Sequence, residues 1–153
     1  MKFLIGSEYF SAVDRLISSA VGQIDVAMYH WQPQGRTAKP KVNQLTAALK
    51  SAVARGVKCR IILHSGYSGS VLFKTNNAAA QKLRAIGATV KFWRVDHTFH
   101  AKFVLVDRKF CALGSHNISN RAMGSNIEIS SLVEGSGEIR RVQDYFNLLW
   151  SRV

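Results

Sequence analysis

The chain has two cysteines and two prolines in 153 residues. Two thiols cannot build the disulfide framework of a small secreted domain. Cys59 and Cys111 both fall in stretches with strand character, so buried free thiols in a reducing compartment are expected. Both prolines, Pro33 and Pro40, fall in one basic segment, "WQPQGRTAKPK", which is expected to be a loop. No run of about 18 apolar residues occurs, which argues against a membrane-spanning helix. The N-terminal "MKFLIGSEYF" has one lysine and a short apolar stretch, too little for a signal peptide. A cytoplasmic location without stable membrane association follows as the expectation. Acid is the most telling scarcity. The chain carries 9 Asp and Glu against 21 Lys and Arg, a net charge of +12. Between Asp25 and Asp96 there is no acidic residue, yet twelve basic ones: Arg36, Lys39, Lys41, Lys50, Arg55, Lys58, Arg60, Lys74, Lys82, Arg84, Lys91 and Arg94. A solvated surface ordinarily mixes signs, so such an excess points to a polyanionic partner, nucleic acid first and an anionic membrane second.

A hydrophobic content of 47% makes the chain globular, and its length suits one domain, 1–153, that buries roughly 70% of its unfolded surface. No internal repeat or linker divides it. Residues 1–5 have strand character. Ser7 is placed to cap a helix carrying Phe10, Val13, Leu16, Ile17 and Ala20 at helical spacing, and Gly22 stops it. "QIDVAMY" is a strand ending at His30. Past Pro40 a second helix carries Val42, Leu45, Leu49, Ala52 and Val53 up to Gly56. "VKCRIIL" is a strand ending at His64, followed by the Gly/Ser loop "HSGYSGS". Asn76 or Asn77 is placed to cap a third helix, stopped by Gly87. "TVKFWRV" is a strand. Thereafter strands follow closely: 99–106, a turn at Asp107-Arg108-Lys109, "FCALG", then "NIEISSLV". A last helix carries Ile139, Val142, Phe146 and Leu149. Alternating strand and helix followed by clustered strands predicts an α/β fold with a mixed sheet and helices packed on it.

The strand "FHAKFVLV" is unusual in carrying His100 and Lys102 two residues apart, so that both point to one side. Val104 and Val106 continue that side, expected as an open floor; Ala101, Phe103 and Leu105 take the core side. The next strand closes at Gly114 and Ser115, and Asn117 follows. Gly114 permits close approach of the backbone to a ligand. A lysine, a hydroxyl, an amide and free backbone N–H groups form an anion cradle suited to phosphate. Asn126 and Glu128 come two apart on the next strand. A carboxylate among cations can accept the Nδ1–H of a histidine and fix its tautomer.

The spacing of His100, Lys102, Asp107, Gly114 and Ser115 resembles the HKD motif of the phospholipase D superfamily, and Asn117, Asn126 and Glu128 match its further asparagine and acidic positions. With one motif and strong positive charge, the chain looks most like the small dimeric bacterial endonucleases of that superfamily. The resemblance implies a phospholipase D/nuclease-like mixed sheet with helices on both faces, no cofactor and no metal. It implies His100 as a nucleophile forming a covalent phosphohistidine. Lys102 and Asn117 would neutralise and orient the phosphoryl oxygens, Ser115 would assist, and Glu128 would hold the imidazole N–H. Asp107, at the start of a turn, is expected to bond backbone rather than substrate. The family uses two histidines, nucleophile and general acid, so one motif implies a homodimer that shares a site.

Other residues carry weaker expectations. Arg36, Lys39 and Lys41 suggest a substrate clamp on the 31–41 loop. The Gly/Ser loop around Tyr67 would be a lid or a flexible crossing. His30 and His64 end strands, where ligands of α/β sheets gather. Asp96, His97 and His100 hint at a metal site, but 97 and 100 take opposite faces of a regular strand. The leading reading is a metal-independent phosphodiesterase that cleaves nucleic acid, DNA ahead of RNA. The rivals are a phospholipase or cardiolipin-type lipid hydrolase and a non-catalytic nucleic-acid-binding module.

Overall fold

The computed structural model describes residues 1–33, 40–94, 97–135 and 137–153. The elements run β1 (Lys2–Ile5), α1 (Glu8–Ser19), β2 (Gln23–Met28), α2 (Lys41–Ala54), β3 (Lys58–His64), α3 (Val71–Ala85), β4 (Thr89–Trp93), β5 (Lys102–Val106), β6 (Phe110–Gly114), β7 (Ile129–Glu134) and α4 (Gly137–Ser151). Among the described residues the strands form one mixed sheet in the order β1-β7-β6-β5-β2-β3-β4. Strand β2 is its pivot, pairing in parallel with β3 and antiparallel with β5. One half is therefore a parallel βαβ unit, and the other an antiparallel meander closed by β1.

Helices cover both faces, as the resemblance implied. The apolar stripes of α1 (Tyr9, Val13, Ile17), α2 (Val42, Leu45, Leu49) and α3 (Ala79, Ala80, Leu83) pack with Val104 and Val106 into one core. On the other side α4 places Ile139, Phe146 and Leu149 against Phe103, Leu105 and Cys111. Burial of each large side chain stabilises by roughly 1.5–3 kcal/mol. Strand β5 is thus buried along its whole length on both faces, and Val104 and Val106 are core rather than an open floor. Only the end of the strand that bears Lys102 opens to solvent chemistry. Cys59 and Cys111 sit in the two separate cores as free thiols. Burial pushes them up, Cys59 to about 11 and Cys111 to about 12.

A buried ion pair clamps α4 to the sheet. The Asp25 carboxylate accepts from Arg60 Nε at 2.7 Å and Nη2 at 2.8 Å, and from Gln143 Nε2 at 2.7 Å. Arg60 also lies over the rings of Phe146 and Trp150. Such a forked, fully bonded pair avoids the cost of an isolated buried charge.

Two helix starts differ from the sequence reading. Ser7 makes no capping bond at α1; instead Glu8 reaches back to accept the Ile5 N–H at 2.9 Å. Helix α3 begins six residues before Asn77, with Ser70 as its cap accepting the Phe73 N–H at 3.1 Å. Nothing in 71–75 breaks a helix, and Ser70 has the extended backbone that a cap needs.

Candidate active site

The carboxyl ends of β2 and β3 meet the start of β5 and the end of β6 at one rim of the sheet, where β2 switches from parallel to antiparallel pairing. Rims at such switch points collect ligands. His100 lies there two residues ahead of β5 and is exposed. Lys102 is the first residue of β5 and is buried. Its Nζ sits 3.3 Å from both His100 ring nitrogens and donates to the His100 carbonyl at 2.8 Å. Desolvation lowers the Lys102 pKa, and the negative charge of Glu128 partly opposes that shift. An ammonium held this close to the imidazole places N–H donors beside the ring for an incoming phosphoryl oxygen.

Tyr29, the residue after β2, was not singled out from the sequence. Its ring meets His100 edge-on at 4.7 Å, stacks on His64 at 5.3 Å, and has the Lys102 ammonium 5.3 Å from its centroid. The ring seats both histidines and the lysine through apolar and quadrupole contact. His64 is held below its ordinary pKa first by burial and then by His100. Its Nδ1 is buried without a hydrogen-bond partner.

Asn76 holds this rim from below. Fully buried in α3, it accepts the Trp31 N–H at 2.9 Å and donates to the carbonyls of Tyr29 and His64, each at 2.8 Å. It therefore ties together the ends of β2 and β3 rather than capping a helix. Asn117 Oδ1 accepts the His30 N–H at 3.2 Å. His30 and Asn117 line a polar groove of about 570 Å³ with Gln32, Asn120, Arg121 and Asn126.

Glu128 has a different neighbourhood from the one its motif position suggested. Its carboxylate accepts from the Ser115 hydroxyl and, at 3.2 Å, from Asn126 Nδ2. No hydrogen bond joins it to His100; the Ile129 N–H donates to Ser115 Oγ at 3.1 Å, which holds that hydroxyl beside Glu128. Gly114 serves the sheet first. A Cβ there would stand 2.4 Å from Ser130 Cα, so only glycine lets β6 and β7 approach at this point. Asp107 accepts three N–H groups, from Val21 at 3.0 Å, Gly22 at 2.8 Å and Gln23 at 2.9 Å. Burial would raise its pKa, but these bonds and Lys109 outweigh burial and lower it. Its place at the far end of β5 makes it a structural clasp, though for a loop distant in sequence rather than its own turn. Lys41 is also redirected. Its ammonium donates to the Met123 carbonyl at 2.5 Å and lies over Phe10, so it ties the 119–126 segment to the helices. Arg36 and Lys39, like Asp96 of the suggested metal site, lie outside the described residues. Among the described residues no three His, Cys, Asp or Glu side chains gather as metal ligands, and no helix is long and apolar enough to cross a membrane.

His116, between Ser115 and Asn117, is buried rather than catalytic. It stacks on Tyr9 at 4.3 Å, and its ring nitrogens meet Ser130 Oγ at 2.7 Å and the Gly6 carbonyl at 2.9 Å. Burial holds its pKa below the ordinary 6.5, against the smaller raising effects of the Gly6 carbonyl and Glu128. A folded pKa below the unfolded one means that the unfolded chain binds more protons across that interval. Stability is then full above about pH 6.5 and is lost as pH falls through the folded value. The melting temperature is expected to drop between pH 7 and 5, and His116→Gln to flatten that drop. A slope unchanged in His116→Gln would assign the acid sensitivity to another group.

Residues 13–150 match the family described as cardiolipin synthase, PLD-like domain. The chain belongs to this phospholipase D-like family. The chain is 33% identical over 143 residues to cardiolipin synthase A of Proteus mirabilis, covering 82% of this chain and 28% of that protein. The chain thus spans under a third of that relative. Its fold is similar to that of Nuc from Salmonella typhimurium, a phospholipase D family member, with a TM-score of 0.80 and 18% identity over 98% of this chain and 94% of Nuc. It is also similar to NucT from Helicobacter pylori, with a TM-score of 0.77 and 18% identity over 98% of this chain and 94% of that one.

Proposed function

We propose that this domain is a metal-independent phosphodiesterase that cleaves nucleic acid through a phosphohistidine on His100, in a site completed by a second copy of the chain. The observation that carries the chemistry is the imidazole of the exposed His100 against the ammonium of the buried Lys102. A neutral ring nitrogen attacks phosphorus, the P–O bond to the leaving oxygen breaks, and a proton passes to that oxygen from a general acid. Water then attacks the phosphohistidine and restores the imidazole. Lys102 and Asn117 stabilise charge on the equatorial oxygens. Ser115 and Glu128 steady the cradle's outer wall.

Charge supports nucleic acid as the substrate: twelve cations and no acid over residues 26–95. The names of the relatives favour a second reading, phosphatidyl transfer between lipids, with the same nucleophile and an alcohol in place of water. A second copy is supported by an apolar surface beside the site. Phe3, Ile5 and Ile129 are 57%, 64% and 54% exposed on the sheet face that α4 leaves open. Ile5 pairs with Ile129, whose carbonyl accepts the Ser115 N–H at 3.0 Å, so this surface runs up to the cradle.

The test uses labelled DNA, RNA and phosphatidylglycerol in excess EDTA, with alkaline quenching to preserve a phosphohistidine. Cleaved DNA or RNA and a nucleotide adduct on the His100 peptide are expected. Turnover of phosphatidylglycerol alone would make the lipid reading the correct one. Activity lost in EDTA and restored by Mg²⁺ or Zn²⁺ would overturn the metal-independent mechanism.

A further inference from the structure

A phosphodiester has two arms, and two clefts open at the rim that carries His100, one beside Asn117 and one beside His64. The amide-lined groove beyond Asn117 is one. The other, of about 150 Å³, opens beyond His64 and is walled by Tyr67, Arg94, His97 and Thr98. His64 links it to the nucleophile, because Tyr29 stacks on His64 and touches His100.

Tyr67 is 89% exposed, yet its backbone is fixed. Its carbonyl accepts the Ser70 N–H at 3.0 Å in a tight turn, and Ser70 in turn caps α3. Gly66 and Gly69 on either side have φ of +67° and +84°. At Gly66 a Cβ would stand 3.1 Å from the Phe73 nitrogen, so the turn is built around glycine. The loop thus presents an outward aromatic ring on a hydrogen-bonded turn. Beside it Arg94 brings a guanidinium, carried on the Phe92 ring. A water-exposed aromatic on a fixed backbone, with a cation at its side and a phosphoryl-transfer nucleophile beyond, has the features that bind an unpaired base and its phosphate.

We infer that Tyr67 is a stacking platform for one unpaired nucleobase next to the scissile phosphate, with Arg94 on the neighbouring phosphate, so that the preferred substrate is single-stranded. This rests on the nucleic-acid reading of the site. A fatty acyl chain would gain little from one isolated exposed ring, whereas every base offers a π-face to it.

The experiment measures binding of a short single-stranded DNA to His100→Ala protein and cleavage by wild-type, each with and without Tyr67→Ala or Tyr67→Phe. The same strand carrying an abasic residue, moved stepwise past the cleavage position, completes the set. Tyr67→Ala is expected to weaken binding about tenfold and Tyr67→Phe hardly at all. One abasic position should cost the parent protein a similar factor and cost Tyr67→Ala nothing further, the signature of a shared contact. Binding that ignores Tyr67 in a protein that cuts DNA overturns the platform alone, as does equal loss from the abasic residue in both proteins. A wild-type protein that leaves both DNA and RNA strands uncut, but binds DNA in a Tyr67- and base-dependent way, overturns the nuclease reading and keeps the platform.

Discussion

When wild-type chains are unfolded and refolded with excess His100→Ala chains, the activity per wild-type chain is expected to collapse. A mixed dimer would hold one His100 where the mechanism needs two, one neutral to attack and one protonated to release the leaving oxygen. Losing the nucleophile costs on the order of a thousandfold or more. Losing the acid costs on the order of a hundredfold or more. His100 is exposed, so the substitution should leave the fold intact and the comparison clean. The rival acid is in the same chain: His64, joined to His100 through the Tyr29 ring. If His64 supplies the proton, a mixed dimer keeps one complete site and half its activity, and His64→Gln alone abolishes turnover. Dimers must be shown to mix, by a mass tag on one chain. Mixed dimers with half of the wild-type rate would sink the shared site.

The motif was legible because its spacing follows local rules. Strand alternation sets His100 with Lys102, a turn sets Asp107, and the next strand ends at Gly114 and Ser115. What stayed hidden depends on contacts between distant segments. That β5 is sealed on both faces requires knowing where α1 and α4 dock, so an apolar run beside a histidine suggested an open floor. Asn76 looked like a cap because asparagine favours helix starts; its bonds to Trp31, Tyr29 and His64 reach 45, 47 and 12 residues along the chain. Lys41 looked like part of a basic clamp, but the Met123 carbonyl that engages it is 82 residues away. Glu128 shares a rim with His100, yet Ser115 takes its carboxylate. Tyr29 had a signal that sequence could have supplied: it is the aromatic residue immediately before His30 at the end of a strand, in the place where a ligand crevice forms.

The charge excess sets the last expectation. Binding of single-stranded DNA should weaken steeply with salt, because each phosphate neutralised by Lys or Arg releases condensed counterions. The log–log slope is about −0.7 per phosphate on a single strand. Roughly five contacts would give a slope of about −3.5, and a loss of about a hundredfold between 50 and 200 mM salt. Salt sensitivity alone does not separate the two substrates, since an anionic membrane also attracts basic surfaces through a screened potential. Competition does. A polynucleotide holds its phosphates in a line that can follow the clefts of this rim, whereas lipid headgroups diffuse in a plane. At equal phosphate concentration, unlabelled single strands should displace the labelled strand, and phosphatidylglycerol vesicles should displace it far less. Vesicles that compete as well as DNA, phosphate for phosphate, would place the basic surface against a membrane and return the lipid reading to first place.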